Sequence, residues 1–269
     1  MMMNYRQMAP PEHLKAYIRY LWTWQGSTNT QNFKIMADGC PGLIFQKSDK
    51  RSFYQNGKQV SSFFVYGQAT RYAEVSFSES ITIGICFRPN ALKSIFGIDA
   101  FELTDTCMEL DDFIGEDGTC LYEQLVQSYS VQAQIALLLS FLESQIQDNH
   151  STIDQQISYA IDMIIRSKGT IALKYLESNL QLSQRTLERK FKQQIGLSPI
   201  NFLRICRFQA SLNQLKNKAY KKLSDVAYTN GYADQSHYIR SFKEFAGLSP
   251  FRFQDLSNSI SHEFPLLKI

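Results

Sequence analysis

The pattern of polar and apolar positions in the C-terminal part of the chain is helical, and it occurs twice. Residues 183–192 and 196–199 show an order of polar, basic and apolar positions that recurs 51 positions later, in residues 234–243 and 247–250. Each copy ends in Gly-Leu-Ser-Pro. A fixed period of this kind marks a duplicated supersecondary unit.

The first unit predicts a short helix, a tight turn and a second helix within residues 172–196. The short helix covers residues 172–178, and Asn179 is expected to take the left-handed geometry that turns the chain. Ser183 is placed to cap the second helix, and Gly196 is placed to end it. Two helices joined in this way form a helix-turn-helix.

The second unit predicts the same arrangement within residues 223–247. Its short helix covers residues 223–229, and an Asn-Gly pair forms the turn. Asp234 is placed to cap the second helix, and Gly247 is placed to end it. In such a motif the second helix is the one that can enter the major groove of DNA.

Between residues 21 and 87 the pattern changes to short β-prone runs separated by turn signals. The runs are residues 21–25, 33–36, 43–46, 52–55, 63–66, 74–77 and 81–87. Asn56 and Gly57 form the strongest hairpin signal, because both residues tolerate positive φ. Runs of this spacing predict a small antiparallel barrel or sandwich, and the pattern does not decide between the two.

Helical patterns flank this β-rich region. The predicted helices cover residues 12–20, 89–96, 119–129 and 131–147. The acidic stretch 102–118 is expected to be mostly loop. The fold class is therefore α+β, a β-rich N-terminal domain with flanking helices followed by an all-α domain, and we place the division between domains 1–150 and 151–269.

The apolar residues of the predicted helix 131–147 fall on one face. They are Val131, Ile135, Leu138, Leu142 and Ile146. Two roles stay open for this face. It forms the contact of a homodimer, or it packs on the β-rich core of its own domain.

Two further helices are predicted in the C-terminal domain. One covers residues 151–167 and begins with an approximate capping box. The other begins at Ser198 and Pro199, runs to about residue 216, and separates the two helix-turn-helix motifs. The tail after residue 254 shows no clear pattern.

Charge is distributed unevenly between the two domains. Residues 151–269 contain 17 Lys and Arg against 9 Asp and Glu, whereas residues 1–150 contain 11 against 16. The C-terminal domain is thus suited to a polyanionic partner. An uneven surface charge without any partner is the alternative.

These motifs resemble the AraC family of bacterial transcription regulators over about the last hundred residues. The first recognition-helix signature of that family is matched by Ser183, Thr186, Leu187, Arg189, Phe191 and Lys192. The second is matched by Ala227, Gly231, Tyr232, Asp234, Tyr238, Arg240, Phe242, Lys243, Gly247, Ser249 and Pro250. Leu176, Ser211 and Gln254 depart from the family pattern.

The resemblance implies a cytoplasmic transcription regulator, an activator, that binds specific sites on double-stranded DNA. It also implies a cupin-like effector domain at the N-terminal end. RNA polymerase, a small-molecule effector and a second copy of the chain, bound through helix 131–147, are the further partners that it allows.

Each recognition helix has an inner and an outer face. The inner positions are Leu187, Phe191 and Ile195 in the first helix and Tyr238 and Phe242 in the second. The candidate DNA-binding residues, which face outward or lie at the margin, are Gln184, Arg185, Glu188, Arg189, Lys192, Gln235, Ser236, His237, Ile239, Arg240 and Lys243.

Arg189 and Arg240 are the leading candidates, because they occupy equivalent positions in the two copies. Arginine suits bidentate contact with guanine, and glutamine with adenine. A solvated or phosphate-bound arginine is the alternative. Two unequal helices on one linker predict an asymmetric site, read in successive major grooves about 34 Å apart.

The sequence contains no recognisable catalytic, cofactor or metal motif. Its four histidines lack metal-ligand spacing, and its five cysteines include no CxxC pair. We therefore expect no cofactor and no metal, and the scattered cysteines fit a reducing cytosol. The longest apolar run is too short to cross a membrane.

Two rival functions stay open. One is an enzyme with a DNA-targeting module, such as an alkyl-accepting repair protein with Cys40 as its thiol. The other is a helical scaffold that never binds DNA. In the β-rich region, the candidate lining of an effector pocket is Trp22, Trp24, Phe45, Tyr54 and Tyr66, with an ordinary aromatic core as the alternative.

Overall fold

The computed structural model describes residues 4–25, 31–47, 54–77, 81–257 and 266–268. The strands are β1 (Asn4–Met8), β2 (Ile18–Gln25), β3 (Gln31–Ile35), β4 (Gly42–Lys47), β5 (Tyr54–Gln55), β6 (Lys58–Gln59), β7 (Phe63–Tyr66), β8 (Ala73–Phe77), β9 (Ile81–Phe87), β10 (Cys107–Glu109) and β11 (Leu266–Lys268). The predicted runs between residues 21 and 87 are confirmed as strands, except that residues 52 and 53 lie outside the described residues.

The strands form two antiparallel sheets. Sheet A has the order β1-β2-β9-β4-β7-β10, and sheet B has the order β11-β3-β8-β5-β6. Buried side chains from both sheets meet between them; they are Trp22, Trp24, Phe33, Ile44, Phe64 and Val75. The described strands therefore make a two-sheet sandwich and not a closed barrel.

Sheet A is covered on both faces, which explains the unbroken apolar run in β4. Leu43 and Phe45 point to one face, where helices cover the sheet, and Ile44 points to the other face, toward sheet B. Side chains alternate between the faces of a strand, so a strand covered on both sides is apolar at every position.

The helices are α1 (Ala91–Phe96), α2 (Leu110–Ile114), α3 (Glu116–Gln127), α4 (Val131–Asp148), α5 (Gln155–Arg166), α6 (Leu173–Leu180), α7 (Gln184–Ile195), α8 (Pro199–Lys216), α9 (Leu223–Thr229), α10 (Gln235–Ala246) and α11 (Pro250–Ser257). Helices α1, α3 and α4 pack with sheet A around one core. Helices α5 to α11 surround a second core. Among the described helices, none is both long and apolar enough to cross a bilayer.

The apolar face of α4 packs on its own domain. Leu138 and Leu142 are fully buried in the core of sheet A, and Val131, Ile135 and Ile146 lie against that core. Of the two roles predicted for this face, the structure shows the internal one. A homodimer through these five side chains would require them to leave the core.

Two predictions about the N-terminal domain were wrong. Residues 12–20 form a 3-10 turn at Glu12–Leu14 and then enter β2, because Ile18 and Leu21 are buried in the core of sheet A. Residues 102–118 are mostly ordered elements and not loop, since Leu103 and Leu110 are apolar anchors within that acidic stretch.

Two details of the C-terminal domain also differ from prediction. Helix α6 continues through Leu180, which is buried, and the left-handed residue is Gln181 instead of Asn179. The amide of Asn179 instead donates within the helix, to the carbonyl of Tyr175 at 2.8 Å. The stretch after residue 254 begins within α11, whose Phe253 is buried.

We predict that Leu142→Ala lowers the free energy of unfolding by about 2–5 kcal/mol, because it leaves a cavity in a filled core. Urea denaturation measures this change. Val126→Ala, at a partly exposed position on α3, is the matched control and should cost much less. If Leu142→Ala leaves the stability unchanged but dissociates a dimer, the face has the intermolecular role instead.

Candidate nucleic-acid interface

Helix α7 begins and ends as its sequence predicts. The Ser183 side chain accepts a hydrogen bond from the amide of Thr186, and Gly196 closes the helix with φ of 88°. Leu187, Phe191 and Ile195 are fully buried in the C-terminal core. This burial leaves the opposite face of the helix free.

The outward face of α7 carries the candidates of the first motif. Gln184, Arg185, Arg189 and Lys192 are exposed, and Glu188 is half-buried. Side-chain hydrogen bonds one turn apart engage three of them, from Gln184 to Glu188 at 3.1 Å and from Arg189 to Gln193 at 3.1 Å. A bound base would have to replace these partners.

Lys190 is engaged inside the protein. Its ammonium group lies 2.7 Å from the carboxylate of Asp154 and 3.1 Å from the side-chain oxygen of Gln156. Burial acts to raise the pKa of Asp154, but the hydrogen bond and charge of Lys190 and the amide of Ile157 outweigh it, so this pKa lies below its ordinary value. Lys190 therefore anchors α7 to the start of α5.

Helix α10 repeats this design. The Asp234 carboxylate accepts a hydrogen bond from the amide of His237 at 2.7 Å, and Gly247 closes the helix with φ of 73°. Tyr238 and Phe242 are fully buried. The N-cap, the inner positions and the closing glycine thus match those of α7.

The candidates of the second motif divide by exposure. Ser236, Arg240 and Lys243 are exposed, whereas Gln235, His237 and Ile239 are half-buried. The ring of His237 packs edge-on against Tyr232, with 5.4 Å between ring centroids. His237 is therefore partly occupied in supporting the motif.

Helix α8 connects the two recognition helices through aromatic contacts. Phe202 packs on Phe191 of α7 with 6.2 Å between ring centroids, and Phe208 packs on Phe242 of α10 with 5.3 Å. These rings lie in one continuous core. Dense packing of this kind makes α8 a rigid spacer.

The closing glycine of α7 lies against the N-terminal domain. The Gly196 carbonyl accepts a hydrogen bond from the Thr104 hydroxyl at 2.7 Å. A Cβ at Gly196 would lie 2.8 Å from the carbonyl oxygen of Ala100. Only a glycine fits here, so this position both ends the helix and allows the two domains to approach.

The closing glycine of α10, at the equivalent position of the repeat, is held in the same way. The Gly247 carbonyl accepts a hydrogen bond from Lys34 at 3.0 Å, and a Cβ there would lie 2.6 Å from the ring of Tyr72. The amide of Tyr72 donates to the carbonyl of Glu244 at 3.3 Å. Both recognition helices therefore rest their C-terminal ends on the N-terminal domain.

The segment after β3 enters the C-terminal core. Met36 and Ala37 are buried among the helices of that core. The Ala37 amide donates to the Phe245 carbonyl at 3.1 Å, and its carbonyl accepts from Gln209 of α8 at 2.6 Å. The predicted division of the chain near residue 150 stays a prediction, but one core crosses it.

A cavity of about 590 Å³ lies beside this segment, between the two sheets. Of the five aromatic residues predicted to line one pocket, Trp22 and Tyr66 line it. Phe45 points to the other face of sheet A, where it packs on Phe63, and Trp24 is buried in the core between the sheets. Tyr54 is an exposed residue outside the lining.

The cavity contains one buried polar atom that the sequence did not indicate. Gln68 is fully buried, and its amide nitrogen donates to the carbonyl of Gly39 at 2.9 Å. Within the described part of the chain, its side-chain oxygen has no hydrogen-bond partner. A buried acceptor of this kind therefore lies beside the cavity.

Comparison with family models identifies the C-terminal part. Residues 176–255 match the model of a helix-turn-helix domain, and residues 6–109 match a domain of unknown function, DUF6597. The C-terminal part therefore contains a helix-turn-helix domain.

The chain is similar to two proteins that are named as transcription regulators. The activator RhaS of Klebsiella pneumoniae is 26% identical over 120 residues, which cover 45% of this chain and 42% of that protein. The probable regulator LumQ of Photobacterium leiognathi is 27% identical over 161 residues, with 49% of this chain and 64% of that protein covered. The chain thus spans about half the length of these relatives.

The chain also aligns with solved structures, at low sequence identity. ToxT of Vibrio cholerae aligns over 94% of this chain and 97% of its own, with 12% identity and a TM-score of 0.47. The C-terminal domain of AraT, a response regulator from Geobacillus stearothermophilus, aligns over 39% of this chain and 88% of its own, with 24% identity and a TM-score of 0.36.

We predict that Asp154→Asn lowers the free energy of unfolding by about 1 kcal/mol at pH 7, because it removes the charge paired with Lys190. A depressed carboxyl pKa stabilises the fold above the unfolded-state value, about 3.9, and this contribution is lost as the pH falls through the folded value. The difference from wild type should therefore vanish at low pH. Urea denaturation at several pH values measures it.

Asp162→Asn is the matched control, because Asp162 is an exposed carboxylate on the same helix. Its effect should be close to zero at every pH. An equal effect of the two substitutions would mean that general charge on α5 matters and the pair with Lys190 does not.

Proposed function

We propose that the protein is a cytoplasmic, sequence-specific transcription regulator, an activator, that reads DNA with α7 and α10. One observation carries this proposal. Arg189 and Arg240, at equivalent positions of a duplicated motif, are both exposed on the outer faces of helices whose inner faces are buried. A helix-turn-helix presents its second helix to the major groove in this manner.

Charge supports a DNA partner. The excess of Lys and Arg over Asp and Glu lies in residues 151–269, while residues 1–150 have an excess of acidic groups. Lys192 and Lys243 are exposed near the C-terminal ends of the two recognition helices. Neutralisation of phosphates by such side chains releases counterions and supplies much of the affinity.

The two arginines act as base readers in this proposal. The guanidinium group of Arg189 exchanges its hydrogen bond to Gln193 for the edge of a guanine, and Arg240 reads a second base from α10. Gln184, Arg185, Glu188, Gln235, Ser236 and Ile239 complete the two reading surfaces, and His237 lies at their margin.

The aromatic contacts of α8 to both helices support a fixed spacing between the two reading surfaces. We infer that α7 and α10 enter successive major grooves on one side of the duplex, about 34 Å apart. A bend in the DNA would adapt its spacing to that of the protein and add readout of DNA shape.

The N-terminal domain is the regulatory part of this proposal, with a small molecule bound in the 590 Å³ cavity. A mixed apolar and polar lining of this size is typical of small-molecule sites. ToxT, by the name of one of its structures, binds an unsaturated fatty acid. RNA polymerase and a homodimer are further partners that the family resemblance implies, and a dimer would use a surface other than the buried face of α4.

We predict that Arg189→Ala and Arg240→Ala each weaken specific binding by about 5- to 150-fold, since one bidentate base contact contributes about 1–3 kcal/mol of discrimination. Selection from a random DNA pool defines the wild-type site, and fluorescence anisotropy on that site measures the loss. Each variant should also relax the preference at one base pair.

Arg6→Ala is the matched control, because Arg6 is an exposed arginine on β1 of the N-terminal domain. It should leave both affinity and preference unchanged. Equal losses on selected and random DNA would show that the two arginines contact phosphate, and no enrichment of any site by wild type would refute the proposed function.

For Lys192→Ala and Lys243→Ala we predict weaker binding to all DNA sequences alike and a salt slope reduced by about one unit each, because a lost phosphate contact releases fewer counterions. Titrations at several salt concentrations measure the slope. Lys58→Ala, at an exposed position in β6, should keep the wild-type slope. A change in base preference would contradict the assignment of both lysines to phosphate.

A further inference from the structure

Three potential metal ligands lie together at one corner of sheet A. Asp38 and Cys40 lie in the turn before β4, and Cys86 lies near the end of β9, where it pairs with Gly42 in the antiparallel register. One oxygen of Asp38 and the sulfur atoms of Cys40 and Cys86 all lie within 4.8 Å of one another. Cys40 and Cys86 are 46 positions apart in the sequence, so no local motif signals the cluster.

We propose that Asp38, Cys40 and Cys86 bind a thiophilic divalent metal ion, with Zn²⁺ as the reference ion. Two sulfurs and one carboxylate oxygen are donors that Zn²⁺ uses in proteins, whereas magnesium and calcium prefer oxygen donors alone. The site does not depend on the proposed function, because no residue of a recognition helix belongs to it.

The geometry suits a tetrahedral ion. With Zn–S bonds of about 2.3 Å, two sulfurs of a tetrahedral site lie about 3.8 Å apart. The cluster spans at most 4.8 Å, so each donor atom needs to move by less than about 1 Å to reach that arrangement. Rotations of the Cys40 and Cys86 side chains supply movements of this size.

Neighbouring groups orient the ligands. The Cys40 amide donates to Oδ1 of Asp38 at 3.0 Å, which fixes the carboxylate and leaves Oδ2 for the ion. Arg19 donates to the Cys40 sulfur at 3.2 Å. Hydrogen bonds of this kind hold first-shell ligands in position around bound metals.

Charge balances when the ion is bound. Two thiolates and one carboxylate carry three negative charges, which a divalent ion and the Arg19 guanidinium neutralise together. Both cysteines are buried, and a buried group of charges is stable only when its charges are paired.

The site is accessible and incomplete. Asp38 and Cys40 both line the 590 Å³ cavity, so an ion can reach them from solvent. Three protein ligands leave the fourth position of a tetrahedral ion open. Because two of the three ligands line the cavity, we expect water or a small molecule with a donor atom to complete the coordination from there.

Titration of the reduced full-length protein with Co²⁺ tests the site. A Co²⁺–thiolate bond gives a charge-transfer band in the near ultraviolet whose intensity follows the number of thiolates. We expect saturation at one equivalent with the intensity of two thiolates, and displacement by Zn²⁺. Cys40→Ser and Cys86→Ser should each lose about half of the band, and Asp38→Asn should keep it but bind at least about 10-fold more weakly.

Cys120→Ser is the matched control, because Cys120 is an exposed cysteine on α3. It should leave the band and the affinity unchanged. A band that persists in both Cys40→Ser and Cys86→Ser, or no band in wild type, overturns the proposal. So does a Cys40–Cys86 disulfide in protein isolated without oxidant, since its sulfurs could not bind an ion.

A measurement on wild type remains decisive if the cysteine variants do not fold. X-ray absorption at the zinc edge should show two sulfurs at about 2.3 Å together with oxygen or nitrogen at about 2.0 Å. A shell of oxygen and nitrogen alone refutes the site. None of these readouts involves DNA, so the metal site and the DNA-binding function succeed or fail separately.

Discussion

The arrangement of the two recognition helices depends on the contact that two glycines make with the N-terminal domain. Gly196 and Gly247 end the recognition helices, and each places its carbonyl oxygen on a donor from the other domain, Thr104 or Lys34. A side chain at either position would meet that domain at less than 3 Å. Each helix is held at its C-terminal end and its inner face is buried. Its N-terminal half and its outer face are therefore the parts that a ligand can contact.

This docking is continuous with the protein interior and is not a loose contact between domains. Met36 and Ala37 belong to the same core as the helices of the C-terminal domain, and a backbone hydrogen bond joins Ala37 to Phe245. Domain interfaces that are small and polar permit relative motion by default. Here both apolar contacts and main-chain hydrogen bonds join the two domains. We therefore expect the domains to move as one body.

Local signals explain how much of the fold was predictable from sequence. The caps at Ser183 and Asp234 and the glycine stops were read correctly, because capping depends on residues three or four apart. Residues 12–20 were misread because Ile18 is fixed by contacts with distant strands, which a local helical pattern does not reveal. Phe45 was placed in the wrong cluster because aromatic content does not indicate which face of a strand points to the cavity.

Long-range geometry explains what the sequence could not show at the candidate sites. Gly196 and Gly247 look like ordinary helix stops, and only the fold shows that the other domain fills the space beside them. Cys40 and Cys86 look like scattered structural cysteines until the pairing of β4 with β9 places them together. In both cases the sequence shows the residue type, but the group that lies beside the residue belongs to a distant strand, helix or loop.

The cavity and the docking surface share a wall, which links the two halves of the molecule physically. Tyr72 lines the cavity and also contacts Gly247, and Met36 lines the cavity and is buried in the C-terminal core. A molecule that fills the cavity therefore touches side chains on which α10 rests. Since a close-packed interior responds to added volume by shifting between discrete arrangements, we expect a molecule in the cavity to act first on the contacts that hold α10. Thr104 and Ala100, which contact the C-terminal end of α7, lie outside the cavity lining. The two recognition helices thus differ in their contacts with the cavity lining as well as in their exposed side chains.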